Sequence, residues 1–306
     1  MNTNASPAAA TTVIELVEAM AARLAAARVS FGHGTTNAFD EAAWLTLWTL
    51  GLPLDELDAV SGSPVTPARA AAVHEVIDRR IATRKPAAYL TREAWLQGVP
   101  FYVDERAIVP RSFIAELLAD PDLGAALDAW LSDETAQVLD LCTGNGSLAV
   151  LAAMAYPQVQ VTGADIDPDA LDVARINVRR HRLEDRVTLV ESDGLAALTA
   201  RYDLILCNPP YVNDASMAGL PDEYRAEPVH ALAGGPDGMD FVRRLLRDAP
   251  ARMTDDAVLV LEIGHERDHF EAAFPRLDAV WLETGAGTDQ VLLLTREALE
   301  AWTRDH

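Results

Sequence analysis

The sequence predicts an α/β protein: a Rossmann-like, doubly wound sheet of seven strands over its C-terminal two thirds, preceded by a small helical domain. Three observations predict it. From about residue 136 onward, continuous apolar runs alternate with amphipathic stretches, whereas residues 11–84 carry helical spacing throughout. A glycine-rich turn, GNG, also follows directly on the first apolar run. Runs of this kind belong to strands covered on both faces, and strand–helix alternation makes such a sheet mainly parallel.

In the N-terminal half, Val13, Leu16, Val17 and Met20 fall on one helical face, as do Ala70, Val73, Ile77 and Ile81. Asp40, just ahead of the apolar stretch EAAWLTLWTL, is the expected N-cap of one helix, and Thr66 before Pro67 that of another. GLPLDEL breaks the pattern between them. Residues 1–85 therefore read as a helical domain. Residues 86–111 hold short β-like runs around a Gly-Val-Pro turn and are assigned to a hairpin joining the halves. Residues 112–306 form the sheet domain, with strands at QVLDL, VQVTGAD, RVTLVESD, DLILCN, AVLVLEI, AVWLE and QVLLLT, and a helix near 238–249.

Composition narrows the function. Half of the residues are hydrophobic and 24% are charged, ordinary for a globular chain. No apolar run approaches the roughly 18–20 residues that cross a membrane, so no membrane partner is expected. The first twenty residues place no basic group ahead of an apolar core, which argues against a secretory leader. Cys142 and Cys207 are too few to frame a disulfide scaffold, and the expected location is the cytoplasm. No histidine spacing suits a metal, and no sign of oligomeric state is present. The chain carries 25 basic against 47 acidic residues, a net charge of −22. Such a surface repels phosphate backbones, so direct nucleic-acid binding is not expected, and it favours a basic partner.

Four strand ends carry the chemistry. Gly144 and Gly146, in VLDLCTGNGSLAV, let the backbone turn sharply and approach a ligand where the next helix offers free N–H groups. Asp165 ends the second strand and can accept both hydroxyls of a ribose. These residues alone also fit a nicotinamide enzyme. Asp140, however, places a negative charge inside the loop's approach, suiting an ammonium or sulfonium better than a pyrophosphate. Asp193 closes the third strand, where it can accept from an adenine amino group. The fourth strand ends in Asn208-Pro209-Pro210-Tyr211. Together these point to S-adenosylmethionine and a class I methyltransferase fold.

Methyl transfer from a sulfonium is an in-line displacement that needs position more than acid–base chemistry. A planar amide or exocyclic amine is a poor nucleophile because its lone pair is delocalised. Acceptors for both of its N–H bonds hold it and return electron density to nitrogen. Asn208 Oδ1 can take one and the Pro209 carbonyl the other, aimed by proline's fixed φ. Tyr211 can pack against the flat group. Asn208 also borders the cofactor.

VLDLCTGNGSLAV, NPPY and EPVHALAGGPDGMDFVRRLL together resemble the HemK-type protein-glutamine methyltransferases, over nearly the whole chain. GHGTTNAFDEA, FYVDERAIVPRS and LPDEYRAEPVHAL are most similar to the branch that modifies the third large-subunit ribosomal protein. The resemblance implies methylation of a glutamine side-chain amide on a basic protein, with an N-terminal helical domain for substrate recognition. It places cofactor contacts at Cys142, Thr143, Gly144, Asn145, Gly146, Asp165 and Gly194. Asn145 stands where the family usually has Ser or Thr, and the final hairpin, WLETGAGTDQVLLL, departs from the usual pattern. Arg111 is expected either to line the cofactor pocket or to support Glu227, itself a loop anchor or a pocket residue. His33, between two glycines, is a substrate-contact or capping candidate. The alternatives are a release-factor glutamine methyltransferase, a nucleic-acid amino-methyltransferase using NPPY on a base, or an inactive cofactor-binding scaffold.

Overall fold

A computed structural model describes residues 11–305; the alanine-rich start at 1–10, with the leader expectation attached to it, lies outside the described residues. The chain forms two compact units, Met1–Arg92 with Pro221–Ala226, and Glu93–Leu220 with Glu227–His306.

The first unit is helical: α1 (Val13–Ala26), α2 (Ala38–Leu50), the single turn α3 (Leu57–Val60), α4 (Pro67–Thr83) and α5 (Ala87–Thr91). Thr12 and Glu15 close a capping box on α1, and Thr66 caps α4 with Pro67 in its first turn, as the sequence predicts. The cap of α2 is Asn37 rather than Asp40. Asn37 is extended, so its side chain can accept from the Asp40 N–H (2.9 Å), and Asp40 joins the first turn, where a carboxylate suits the helix dipole. Residues 87–91, read from sequence as β-like, form α5, ended by Arg92 in a left-handed conformation. Leu16, Val17, Met20, Leu45, Leu47, Val73 and Ile77 share one core.

Within that core lies an ionic knot. The Arg80 side chain is 1% exposed; its Nε donates to Glu41 (2.8 Å), Nη1 to Glu223 (3.4 Å) and Nη2 to the Ser30 carbonyl (3.0 Å). Arg84 also reaches Glu223, at 3.4 Å. Burial raises the Glu41 carboxyl, opposed by the Arg80 charge.

The second unit opens with a hairpin, β1 (Ala94–Leu96) and β2 (Val99–Phe101), antiparallel about Gln97 and Gly98, both at positive φ. Next come α6 (Ile114–Ala119), α7 (Pro121–Asp128), β3 (Gln137–Leu141), α8 (Ser147–Ala155), β4 (Gln160–Asp165), α9 (Pro168–Arg180), β5 (Val187–Glu191) and β6 (Tyr202–Cys207). After α10 (Asp214–Gly219) follow α11 (Asp240–Asp248), β7 (Met253–Glu262), α12 (Arg267–Ala273), β8 (Val280–Thr284), β9 (Gly287–Thr295) and α13 (Arg296–Asp305).

The seven strands run in the order β5-β4-β3-β6-β7-β9-β8, with β9 antiparallel to both neighbours and the others parallel. Alternation along the central strands sorts their side chains into two cores. Val138, Leu204, Leu206, Val258 and Val260 pack with α6 and α8 on one face. Leu139, Leu141, Ile205, Leu259 and Leu261 pack with α11, α12 and α13 on the other. The order reverses between β3 and β6, so the ligand crevice opens at the carboxyl ends of those strands. No described helix is long and apolar enough to cross a membrane.

Candidate active site

A cavity of about 540 Å³ lies in the second unit at that reversal. The strand exits line it: Leu141 at the end of β3 with Cys142 and Gly144 beyond it, Asp165 at the end of β4 with Ile166 beyond it, Ser192, Asp193 and Gly194 after β5, and Asn208 and Pro210 after β6. Phe241 and Arg244 come from α11, His230 from the loop before it, and Ala107 and Ile108 from the stretch after β2.

The glycine loop is held from below. Asp140 is 1% exposed and does not reach the cavity wall; its Oδ2 accepts from the Thr143 hydroxyl and from the Ala149 N–H (2.9 Å) in the first turn of α8. The Thr143 N–H donates to Ala164 O, tying the loop to the end of β4. Gly146 takes φ +79°, and a Cβ there would stand 3.0 Å from that of Ala174 on α9. Cys142, not a glycine, also holds a left-handed conformation, φ +62°, a strained backbone at the cavity wall. Asn145 is buried with its carbonyl accepting from Asn177 (2.8 Å). Thr143, Asn145 and Gly146 thus shape the loop without lining the cavity.

Asp165 joins β4 to this loop. Its Oδ2 accepts the Gly144 N–H (2.8 Å) and its Oδ1 the Asp167 N–H (3.0 Å), and burial raises its carboxyl. Each oxygen retains a lone pair for a ligand diol. Asp165→Ala is expected to weaken cofactor binding by about 1–3 kcal/mol, the value of charge-assisted hydrogen bonds, read by calorimetry. Asp193 is half exposed and pairs with Arg244 (3.1 Å), whose guanidinium lies 5.5 Å from the Phe241 ring centre.

Cys142 and Cys207 meet at adjacent strand ends. A hydrogen bond to the Cys207 thiol, then burial, raises the Cys142 thiol well above its ordinary range, so it stays protonated and serves as packing. Burial likewise pushes the Asp140 carboxyl up to about 7. The folded chain therefore holds this proton more tightly than the unfolded one. Its stabilising effect is complete below the ordinary aspartate range and is lost as pH rises through 7. In cofactor-free protein, this carboxyl alone should lower the unfolding free energy by about 2–4 kcal/mol between roughly pH 4 and 8, and Asp140→Asn should make the measured fall smaller by that share. Urea titrations at several pH values check this.

The remaining candidates lie off the cavity. Arg111 makes a two-pronged pair with buried Glu227 (2.6 and 2.8 Å), which also accepts from the Val109 N–H (2.9 Å). Of the two roles open to Arg111, it takes the support of Glu227, and Glu227 anchors the loop. His33 belongs to the first unit, 2% exposed, its ring 4.3 Å from that of Tyr224. It does not face solvent as a substrate contact would. Pro209 is buried, and Tyr211 is half-buried with its hydroxyl 3.4 Å from Glu262 Oε1. No cluster of metal-ligating residues occurs among the described residues.

Sequence reasoning missed several cavity residues, among them Ile166, His230, Phe241 and Arg244, and also Arg106, Ile108, Ser192 and Asp240. Only Ile166 left a trace, as an apolar side chain between two aspartates and 55% exposed.

S-adenosylmethionine fits what these residues present. The volume lies within the roughly 300–1,000 Å³ of small-molecule pockets. Asp165 offers acceptors for a diol, and Ile166 and Phe241 offer apolar surface. Asp140 Oδ1 is buried behind the loop without a hydrogen-bond partner, and a cationic ligand in the cavity would favour the ionised form of this carboxyl.

Comparison with known proteins agrees. A family model described as Methyltransferase small domain matches residues 120–220. The ribosomal protein uL3 glutamine methyltransferase of Bordetella pertussis is 55% identical over 94% of this chain and 96% of its own length. Its counterpart in Burkholderia pseudomallei is 50% identical over 97% and 98%, and that of Neisseria gonorrhoeae 46% over 94% and 96%. Alike to these relatives along nearly its whole length, the chain belongs to the ribosomal protein uL3 glutamine methyltransferases, with a class I methyltransferase fold as its larger unit.

Proposed function

We propose that this protein transfers a methyl group from S-adenosylmethionine to the side-chain amide nitrogen of a glutamine in ribosomal protein uL3. The observation that carries the reading is the wall shared by Asn208 and Pro210 with Asp165 and the glycine loop. One cavity thus joins an amide-holding strand exit to a ribose-binding carboxylate. The near full-length similarity to enzymes named for this reaction supports the choice of substrate.

The cofactor supplies an electrophilic methyl group on sulfonium. Asn208 Oδ1 and the Pro209 carbonyl accept the two amide N–H bonds, fix the carboxamide plane and raise electron density on nitrogen. Pro209 and Pro210 keep that exit stiff because their φ angles are locked. Asp165 and Gly194 hold the cofactor's nucleoside, and the Cys142–Gly146 loop its amino-acid end. The loop from 229 to 233 and α11 supply the wall of the cavity beside the strand exits, through His230, Ala231, Ala233, Phe241 and Arg244.

A net charge of −22 favours a basic ribosomal protein over a nucleic acid and speeds the encounter. The helical unit, acting in the cytoplasm, supplies substrate recognition. The test is transfer of labelled methyl from S-adenosylmethionine into a lysate lacking the enzyme, followed by mass spectrometry. Label on a uL3 glutamine is the expected result. Label on a release factor or on RNA would replace this reading, and no transfer at all would favour a scaffold.

A further inference from the structure

We propose that Glu262, at the end of β7, is a positioning residue for methyl transfer that acts by seating Tyr211, an inference that rests on the amide-clamp reading above. Glu262 is 2% exposed, and its two oxygens have different work. Oε2 accepts from the Ser112 hydroxyl (2.6 Å) and from the N–H groups of Phe113 (2.9 Å) and Ile114 (3.4 Å), at the entry to α6. Oε1 faces the Tyr211 hydroxyl at 3.4 Å. This long contact can tighten when a substrate presses on the ring.

The rest of the seat is steric. Gly264, two residues beyond Glu262, takes φ +54°, and a Cβ there would come within 2.5 Å of Tyr211 Cε2. Against the tyrosine's backbone, a Cβ at Gly238 would come 2.2 Å from its carbonyl oxygen, and one at Gly234 2.8 Å from its carbonyl carbon. Val212 bonds on both sides to the same loop, its N–H to Leu232 O (2.9 Å) and its carbonyl from Gly234 N (2.8 Å). The ring and the backbone of Tyr211 are therefore both confined. The tripeptide Glu262-Ile263-Gly264 supplies one acceptor and one hollow for the ring of the NPPY motif. Neither Glu262 nor Gly264 lines the cofactor cavity, so an effect of Glu262 on turnover passes either through the tyrosine or through the α6 entry, and removal of the Tyr211 hydroxyl alone separates the two.

Protonation gives this seat a signature. Ionised, the carboxylate accepts from all four donors. Protonated, it carries a hydrogen of its own and must surrender one of them. Burial pushes Glu262 up to about 7, against its hydrogen bonds and the Arg111 charge, which lower it. The charged and titratable groups around it are Arg111 and Tyr211, with Glu227 neutralising Arg111.

The experiment measures kcat and the cofactor KM of the full-length enzyme on uL3 between about pH 5.5 and 8.5, for wild type, Tyr211→Phe, Glu262→Gln and the double variant. Wild-type kcat should fall below about pH 7, and Tyr211→Phe should cost about 10-fold in kcat at pH 8 with an unchanged cofactor KM. Tyr211→Phe should also lose the acid limb, and the double variant should be no slower than the slower single. A Tyr211→Phe enzyme with full kcat, or with an undiminished limb near pH 7, overturns the proposal. Should Glu262→Gln fail to fold, Tyr211→Phe decides alone, because it removes only the hydroxyl. Wild-type label on some group other than a glutamine amide sinks the clamp reading and this one together, whereas normal Tyr211→Phe turnover on glutamine sinks only this one.

Discussion

Replacing Asn208 by alanine should lower kcat by at least ~10²-fold, the loss typical of removing an orienting acceptor from a polar site. Cofactor affinity should change little, because the cavity residues proposed to hold the nucleoside belong to other strand exits: Asp165 at the end of β4 and Gly194 after β5. The expectation follows from geometry. β6 is buried to Cys207, so its exit cannot drift, and the two prolines that follow leave the Asn208 side chain as the adjustable part of the clamp. Single-turnover kinetics and calorimetry on the same preparation separate the two quantities. Unchanged turnover would remove Asn208 from the mechanism.

The second large effect is on folding. Arg80→Ala should destabilise the helical unit by about 3–5 kcal/mol, because it leaves the Glu41 and Glu223 carboxylates buried without their principal partner. Adding Glu41→Gln to that variant should recover part of the loss by removing one of the stranded charges. Hydrogen exchange of α2 and α4 amides reads this unit directly, where a whole-chain melt would mix two transitions. Protection equal to wild type would mean that water enters and solvates both carboxylates.

Much of this architecture was legible in the residues. The apolar runs from QVLDL onward gave the seven strands because burial on both faces forbids polar interruption. The aspartate at the end of β4 and the asparagine after β6 were legible because a polar residue ending such a run has a reason to be there. Phe241 and Arg244 were not. They lie on an amphipathic helix, and only the crossing of α11 over the strand ends brings them to the cavity. His230 is equally silent, since a loop's path follows from what its ends are tied to. Asp140 was legible as a charge near the ligand, but its role as a brace for the loop depends on the Thr143 and Ala149 bonds. The α5 helix was missed because AAYLT suits either state, and tertiary packing of Ala87, Ala88 and Tyr89 decides it.

The membership of Pro221–Ala226 in the helical unit bears on how this protein can be dissected. A gene cut after codon 92 would not release an autonomous enzyme. It would leave a hexapeptide whose glutamate has lost both of its arginines, spliced between Leu220 and the Glu227 anchor. Exchange of whole recognition modules between such enzymes therefore requires two transplanted segments, far apart in the reading frame, and a chimera made at one junction should express as a damaged chain.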